Sequence, residues 1–569
     1  MRPLSAALLS ATIPPDVADR FDADCERWLR SGSSARLIAR DATLWTNHDE
    51  SQWLGWLDAP SAHLGEIPRL SEFAAEVAAR GYTHVLLLGM GGSSMCPEVL
   101  MEIFRRRPGF PTLLVLDSTD PAQIRTFERR IDLARSLVVV ASKSGTTLEP
   151  NLLAHYFLER MRAVRGDQAG RSFVAITDPG SNLEVLARRE GFWRVFHGVP
   201  SIGGRYAALS NFGLVPAALL GMDLRRWLDR AMAARAACEA ADPSANPGVA
   251  LGLLLGMLTA TGRDKLTLVC DAALVPFGAW VEQLVGESLG KHAQGLIPVI
   301  GEPLDARTVY GADRLFVRLC LAGESDPNQT ETLAALAVLG HPVITINLQD
   351  RYELAREFLR WSVAVAVAGT KLGVNPFNQP DVEAPKVTAR KLADEYEVSG
   401  DWVDPPAVAR DLMLKVFGQV SVASRAPVDA LRALIASIGV GDYFSLLAFI
   451  EMNAANNVAL EAIRTKVAQA KRVASTIGYG PRYLHSTGQL HKGGPASGVF
   501  LLITCDEAND LPIPGRKATF GVIKRAQARG DFAVLDELGR RVLRVHLSGD
   551  IAASLAVLSQ TMEQALGGR

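Results

Sequence analysis

The chain has 569 residues, of which 48% are hydrophobic, so two or three domains with cores of their own are expected. Its 60 Lys and Arg residues balance 61 Asp and Glu residues, and a formal net charge of -1 argues against a general nucleic-acid-binding protein. The longest nearly apolar run, around residues 248–260, is shorter than the ~20 residues of a membrane span, so we expect a soluble, cytoplasmic protein without a membrane partner.

Residues 1 to about 70 are predicted to form a helical cap, in which tryptophans between charged residues act as packing anchors. Between about 80 and 220, short apolar runs alternate with helix-like segments. The predicted strands are His84 to Leu88, Thr112 to Leu116, Leu137 to Ala141 and Phe173 to Thr177. This alternation predicts a parallel, doubly wound sheet.

A second sheet domain of the same class is predicted from about residue 265. Its strands are expected at Leu266 to Cys270, Gly295 to Ile300, Leu315 to Leu319 and Val343 to Leu348. Polar residues around Asp404-Pro-Pro mark a boundary. Beyond it we predict a long helical pattern from Gly441 to Ile477, then strands at Gly498 to Thr504 and Arg541 to Leu547. The predicted domains are therefore 1–70, 71–230, 231–395 and 396–569.

Hydroxyl groups crowd the turn after the predicted strand Leu137 to Ala141. The turn reads Ser-Lys-Ser-Gly-Thr-Thr over residues 142–147 and precedes a helix-like segment. Its glycine lets the backbone bend, and the free N–H groups of the helix add partial positive charge. A solvated turn is the alternative, but this pattern is typical of a phosphate site.

A second loop of the same kind, Gly-Met-Gly-Gly-Ser-Ser over residues 89–94, follows the predicted strand His84 to Leu88. It completes neither a Walker motif nor a G-x-G-x-x-G pattern with its acidic partner, so alone it is a weak signal. Both loops follow strands of one predicted sheet, and sites in open parallel sheets form beyond the carboxyl ends of strands. Together they indicate one binding site.

Three further segments complete a resemblance to a known family. They are Gly203-Gly-Arg-Tyr-Ala-Ala-Leu-Ser210, Glu282-Gln-Leu-Val-Gly-Glu-Ser-Leu-Gly-Lys291 and Asn375-Pro-Phe-Asn-Gln-Pro-Asp-Val-Glu-Ala-Pro-Lys386. With the two loops they give five blocks in the order of the phosphoglucose isomerase family, which has the sugar isomerase (SIS) fold. The resemblance implies an α/β protein with two SIS doubly wound parallel-sheet domains, an N-terminal helical cap and a C-terminal α/β extension.

The region from about residue 440 onward resembles the isomerase half of bifunctional transaldolase/phosphoglucose isomerase proteins, although nothing upstream resembles a transaldolase barrel. The implied activity is the reversible isomerisation of glucose 6-phosphate and fructose 6-phosphate, in glycolysis and gluconeogenesis, by a homodimer. A carboxylate on one face of a cis-enediol can move the proton without a metal or another cofactor.

The blocks also imply roles for individual residues. Glu287 matches the glutamate that moves the proton, Arg205 the cation that stabilises the enediolate, and Lys386 the lysine that helps to open the ring. From the residues alone, Glu287 with Lys291 at i+4 also fits a surface ion pair, and Arg205 also fits a turn that caps carbonyls. The implied substrate contacts are Gly92, Ser93, Ser142, Lys143, Ser144, Thr146, Thr147, Gln283 and Gln379.

The chain departs from the family pattern at three places. Asn378 stands where the family usually has Asp, Pro385 where it has Gly, and Ser144-Gly145 where it commonly has Thr-Phe. Anion binding needs hydroxyls and amides rather than an aromatic ring, so the phosphate site is still expected.

The ring-opening histidine of the family, which a neighbouring subunit contributes, has no match at its usual place. His292 and His341 lie between the glutamate and lysine blocks, but in no matching context. The segment His485-Ser-Thr-Gly-Gln-Leu-His491-Lys-Gly-Gly-Pro instead resembles the histidine loop of the bacterial enzymes. We therefore predict that the C-terminal region supplies the acid. We prefer His491 to His485, because Gly-Gly-Pro follows it directly; a solvated loop histidine is the alternative.

Three other functions are alternatives to this enzyme. A non-catalytic phosphosugar-binding SIS regulator would lack the base, the arginine and the lysine, and a related aldose-ketose phosphosugar isomerase also fits. An aminosugar-phosphate domain of an amidotransferase would need an N-terminal nucleophilic cysteine, and Cys25 is not N-terminal. The six cysteines show no C-x-x-C spacing, which predicts neither zinc nor a disulfide framework.

Overall fold

The computed structural model describes residues 2–6, 9–305, 310–401, 404–422 and 424–567. Its strands are β1 Arg2–Ala6, β2 Leu9–Ile13, β3 His84–Leu88, β4 Thr112–Leu116, β5 Ser136–Ala141, β6 Phe173–Thr177, β7 Arg194–His197, β8 Lys265–Cys270, β9 Ile297–Ile300, β10 Arg314–Leu321, β11 Val343–Leu348, β12 Ala409–Arg410, β13 Leu414–Phe417, β14 Tyr443–Ala448, β15 Ala474–Tyr479, β16 Gly498–Cys505 and β17 Arg541–Leu547.

Its helices are α1 Pro15–Arg30, α2 Ser33–Ile38, α3 Ala59–Ala62, α4 Ile67–Ala79, α5 Met95–Phe104, α6 Pro121–Arg130, α7 Leu148–Arg165, α8 Asn182–Arg189, α9 Asn211–Leu219, α10 Leu224–Ala237, α11 Pro247–Ala260, α12 Phe277–Leu289, α13 Pro327–Val338, α14 Leu354–Leu372, α15 Glu383–Ser399, α16 Pro427–Ala436, α17 Ala454–Lys471, α18 Gly488–Gly493, α19 Phe520–Glu537 and α20 Ile551–Ala565.

The first sheet has the order β4-β3-β5-β6-β7, with every pair parallel. Its four predicted strands are confirmed, and β7 adds an edge strand that the apolar runs did not reveal. Strands β3 and β5 are neighbours, so the glycine loop after β3 and the hydroxyl loop after β5 emerge side by side at the carboxyl edge. This adjacency places the two predicted binding loops together.

The second sheet has the order β1-β2-β11-β10-β8-β9. Strands β9, β8, β10 and β11 pair in parallel, as predicted, whereas β2 pairs antiparallel with β11. The N-terminal region is therefore not only helical: it begins with the hairpin β1–β2, which extends this sheet. The alternating burial of β2 is the period-2 pattern of such a strand. Trp28 and Trp56 of the N-terminal region are buried, as expected for packing anchors.

The third sheet has the order β12-β13-β17-β16-β14-β15, in which β15, β14, β16 and β17 are parallel. The predicted helical pattern from Gly441 to Ile477 is wrong at both ends, because β14 and β15 flank α17. Every residue of β14 is buried, and a fully buried strand has no periodicity that separates it from a buried helix. The predicted strands that became β16 and β17 are confirmed.

The carboxyl edge of the third sheet faces the domain of the first sheet. Lys524 Nζ of α19 lies 2.6 Å from Oδ2 of Asp120, and Arg125 Nη2 donates to O of Asp510 at 3.0 Å. Strands β3–β7 fall within 71–230, β8–β11 within 231–395 and β12–β17 within 396–569. The domain boundaries themselves stay a prediction.

Candidate active site

The hydroxyl loop lies between the end of β5 and the start of α7. Ser142 Oγ donates to Thr147 Oγ1 at 3.4 Å, and the hydroxyls of Ser144 and Thr146 are 2.7 Å apart. Gly145 has a φ of 67°, and a Cβ there would lie 2.4 Å from a backbone nitrogen of α8. The Thr147 side chain does not cap α7, so the first amides of this 18-residue helix can receive an anion. The loop therefore has the groups that bind a phosphate.

Lys143 lies in the same loop, but its ammonium already has two protein partners. Its Nζ pairs with the carboxylate of Asp178 and donates to O of Pro200 at 3.1 Å. A phosphate bound here would share this ammonium with Asp178.

The glycine loop forms a short 3₁₀ turn, Gly91–Ser93, that fits closely against two other segments of the site. A Cβ on Gly92 would lie 2.0 Å from O of Gly204, and one on Gly91 would lie 3.0 Å from Nε2 of Gln283. Ser93 is buried in this turn. Only glycine allows such close approach of backbone, so the loop is locked against the arginine turn and α12.

Arg205 is buried where these segments meet. It donates to Ser288 Oγ at 2.7 Å, Gln379 Oε1 at 2.9 Å, Pro376 O at 2.8 Å and Asn378 O at 2.9 Å. Its Nη1 also lies 3.2 Å from Oε1 of Glu287, and the arginine side chain is only 2% exposed. The guanidinium thus joins the predicted base to the predicted substrate glutamine, and its contacts go beyond carbonyl capping.

Glu287 lies on α12 with both carboxylate oxygens held. Oε1 faces Arg205, and Oε2 accepts from Gln283 Nε2 at 3.1 Å. The alternative of a surface ion pair with Lys291 is not what the structure shows. Lys291 Nζ donates instead to two carbonyls, Ser288 O at 2.9 Å and Asn375 O at 2.5 Å. Burial holds the pKa of the Lys291 ammonium well below its usual value.

Lys386 is the least constrained of the predicted catalytic residues. It lies on α15, is 36% exposed, and its Nζ is 2.9 Å from Oε1 of Glu383. Its positive charge makes a small contribution to the lowered pKa of the Glu149 carboxyl. A long, mobile ammonium at this position can approach a bound sugar.

The structure contradicts the preference for His491. Its ring is buried among Tyr443, Tyr483 and Phe500, and Nδ1 lies 3.0 Å from the hydroxyl of Tyr443. Burial lowers the pKa of the imidazole well below its usual value. We therefore correct the prediction: the histidine followed by Gly-Gly-Pro belongs to the core of the C-terminal domain, because α18 turns it toward the third sheet.

His485 is the histidine that reaches the site. Its Nε2 lies 3.0 Å from Oε1 of Glu149, and its carbonyl accepts from Nε2 of Gln283 at 2.9 Å. The same Gln283 nitrogen contacts Glu287, so one amide connects the base to the histidine turn. The prediction that the C-terminal region directs a histidine at this site agrees with the position of His485.

Glu149 was missed by sequence reasoning. It lies in the first turn of α7, two residues after the hydroxyl loop, and accepts from Nε2 of Gln527 at 2.7 Å as well as contacting His485. Burial alone would raise the pKa of this carboxyl, but the charge and hydrogen bond of His485 outweigh it and hold the pKa below its usual value. The position of a carboxylate directly after a predicted phosphate loop could have indicated Glu149. Its partner His485, however, is 336 positions away in the sequence.

The described residues offer neither a metal site nor a membrane span. Among them, no group of three or more His, Cys, Asp or Glu side chains is arranged to hold a metal ion. No helix in this part of the chain is both long and apolar enough to cross a membrane.

Comparisons with known proteins point to one family. The family profile described as phosphoglucose isomerase matches residues 71–299, which include the glycine loop, the hydroxyl loop, Arg205 and Glu287. A glucose-6-phosphate isomerase from Synechococcus sp. (strain JA-2-3B'a(2-13)) is 35% identical over 422 residues, which are 63% of this chain and 79% of that protein. A probable glucose-6-phosphate isomerase from Methanococcus maripaludis is 25% identical over 387 residues, covering 61% and 86%.

A solved structure supports the fold. The crystal structure of a glucose-6-phosphate isomerase from Chlamydia trachomatis covers 70% of this chain and 90% of its own, with a TM-score of 0.54 and 19% identity. The profile match over residues 71–299 contains four of the five predicted blocks, in order. On this likeness in sequence and architecture, the chain belongs to the phosphoglucose isomerase family.

Proposed function

We propose that this chain interconverts glucose 6-phosphate and fructose 6-phosphate, through ring opening and a cis-enediol, without a cofactor. The observation that carries the proposal is the 3.2 Å contact between Arg205 Nη1 and Glu287 Oε1 in a buried site. A base beside a fixed cation is what the abstraction of a proton next to a carbonyl requires. The setting that we propose is the cytoplasm, in glycolysis and gluconeogenesis, with the enzyme as a homodimer.

Proton transfer is assigned to Glu287. Its carboxylate would remove the proton from C2 of the open-chain aldose and return it to C1 of the enediol, giving the ketose. Hydrogen bonds from Arg205 and Gln283 hold both oxygens, so the carboxylate is oriented before the sugar binds. Arg205 would at the same time stabilise the negative charge of the enediolate through its own positive charge, since a cation already fixed in a dry site needs no rearrangement during the reaction.

Ring opening is assigned to His485. Breaking the bond between C1 and the ring oxygen requires a proton for that oxygen and the loss of one from the C1 hydroxyl. Glu149 fixes the imidazole at 3.0 Å, and Lys386 approaches the same side from α15. A carboxylate that orients a histidine and stabilises its protonated form is a recurrent catalytic arrangement.

Phosphate binding is assigned to Ser142, Ser144, Thr146 and Thr147, with Gly92, Ser93 and Gln379 against the sugar. The hydroxyls precede α7, whose amides and dipole favour an anion. A non-catalytic phosphosugar sensor would need only this loop. The contacts of the buried Arg205 with Glu287 and Gln379, together with the His485 turn beside them, favour the enzyme over the sensor.

The test is a coupled assay of fructose 6-phosphate conversion to glucose 6-phosphate. We expect turnover by the wild type and a loss of about 10²- to 10⁴-fold in kcat for Glu287→Gln, with phosphosugar binding retained. Glu331→Gln, at an exposed position of α13, is the matched control and should behave as wild type. Binding without any turnover by the wild type would support the sensor instead.

A further inference from the structure

The turn that carries His485 is a 3₁₀ helix, Arg482–His485, directly after β15 and Gly480-Pro481. In a 3₁₀ helix the side chains at i and i+3 lie one above the other. Arg482 and His485 therefore point to the same side. Both contact the first SIS domain, Arg482 through Glu98 and His485 through Glu149.

The contact of Arg482 has the geometry of a directional clamp. Nη1 donates to Oε1 of Glu98 at 2.9 Å, Nη2 pairs with Oε2 of the same carboxylate, and Nε lies 3.5 Å from Oδ2 of Asp117. The arginine side chain is 13% exposed. A two-pronged arginine–carboxylate pair fixes orientation as well as distance, which a lysine cannot do.

The acids that hold Arg482 belong to the elements that build the glycine loop. Glu98 lies on α5, and Asp117 directly follows β4. Asp117 Oδ2 accepts from Ser94 Oγ at 2.8 Å, and that hydroxyl also contacts O of Gly91 at 3.1 Å. The anchor of the histidine turn is thus continuous with the loop that faces the sugar.

Several carboxyls surround the Arg482 guanidinium, so replacing the arginine should disrupt the packing of the histidine turn on the first SIS domain. Glu98, Asp117 and Glu282 all act on the one guanidinium. Burial raises the pKa of the Asp117 carboxyl and raises that of Glu282 to about 7. Without the arginine, buried carboxyls of the first SIS domain and α12 would face the histidine turn unpaired.

We propose that Arg482 is a positioning residue for ring opening, because its clamp on Glu98 and Asp117 sets where the C-terminal domain presents His485. This inference rests on the proposed isomerase function. It assigns the clamp to one chemical step: Glu287 Oε1 keeps its contact with Arg205 when the clamp is lost, whereas His485 loses its contact with Glu149. A displacement of about 1 Å at a reacting group can cost about a hundred-fold in rate.

The test separates ring opening from proton transfer. A Glu287→Asp background makes proton removal slow, so that glucose 6-phosphate deuterated at C2 gives a full isotope effect on kcat/KM. Adding Arg482→Met should lower kcat/KM by about a hundred-fold and bring the isotope effect toward 1, since ring opening then limits the rate. Arg482→Lys should recover only part of the loss. Arg125→Ala, which removes another contact between these domains, should change neither quantity.

If Arg482→Met does not fold, Glu98→Gln tests the same contact. It should also bring the isotope effect toward 1. The proposal is overturned if either variant loses activity or thermal stability while the isotope effect stays full, or if kcat/KM does not fall. Absence of turnover by the wild type and by Glu287→Asp would instead refute the proposed function itself.

Discussion

His485 Nε2 and Glu149 Oε1 lie 3.0 Å apart, and this contact joins the C-terminal domain to the helix behind the hydroxyl loop. The family resemblance implies a histidine from a neighbouring subunit. In this structure His485, which we propose as the ring-opening residue, lies in the same chain as the hydroxyl loop, Arg205 and Glu287.

Glu149→Gln should lower kcat by about 10²-fold, because a neutral amide no longer stabilises the protonated imidazole. Binding of phosphosugar should change little, since the hydroxyl loop is intact. Kinetics of glucose 6-phosphate isomerisation measure the effect. Glu159→Gln, at an exposed position of the same helix, is the control. An unchanged kcat for Glu149→Gln would remove the carboxylate from the mechanism.

The two histidines of the C-terminal loop should respond differently to substitution. His485→Ala should reduce kcat by about 10²- to 10⁴-fold, the range of general acid–base catalysis. His491→Asn should lose the contact with Tyr443 and lower the melting temperature, yet keep kcat within a few fold of wild type. The coupled assay and thermal melts of both variants give the comparison. The reverse order of kcat losses would restore His491 as the acid.

Gly92→Ala should reduce kcat/KM by about a hundred-fold, since a Cβ would lie 2.0 Å from O of Gly204 and displace the turn that carries Arg205. Gly65→Ala is the matched control, because no atom lies within 4 Å of a Cβ at that position. Steady-state kinetics of both variants test the fit. Equal activities would show that the arginine turn tolerates displacement.

Glu282 should give the folded protein a pH-dependent stability. Burial raises the pKa of this carboxyl from 4.5 to about 7, so between these values the native state holds a proton that the unfolded chain releases. The free energy of unfolding should then fall as pH rises through this window, by at most about 1.4 kcal/mol per pH unit. Glu282→Gln should lack this slope.

Thermal melts of wild type and Glu282→Gln at pH 5, 6, 7 and 8 provide the measurement for this slope. The two sets of melting temperatures should converge toward pH 5 and separate toward pH 8, with the variant the more stable there. Parallel curves across the whole range would contradict the raised pKa.

Local sequence determined the parallel strands β3–β6 of the first sheet and β8–β11 of the second, although not the edge strand β7 or the hairpin β1–β2. Runs such as His84 to Leu88 are apolar, short and bounded by glycine or polar turns, so their strand character is encoded where they stand. The same holds for the hydroxyl loop, whose residues carry their chemistry and their glycine bend together. The roles of Glu287 and Gln283 came from the family resemblance instead, since from the residues alone Glu287 also fits a surface ion pair with Lys291.

Tertiary structure alone decided the rest. Strand β14 is buried along its whole length and so lost the alternation that would distinguish it from a helix. The choice between His485 and His491 depended on which way each side chain faces, and that direction is set by α18 packing on the third sheet. Glu149 acquired its role only when the chain brought His485 to it across 336 positions, a contact that no local pattern encodes.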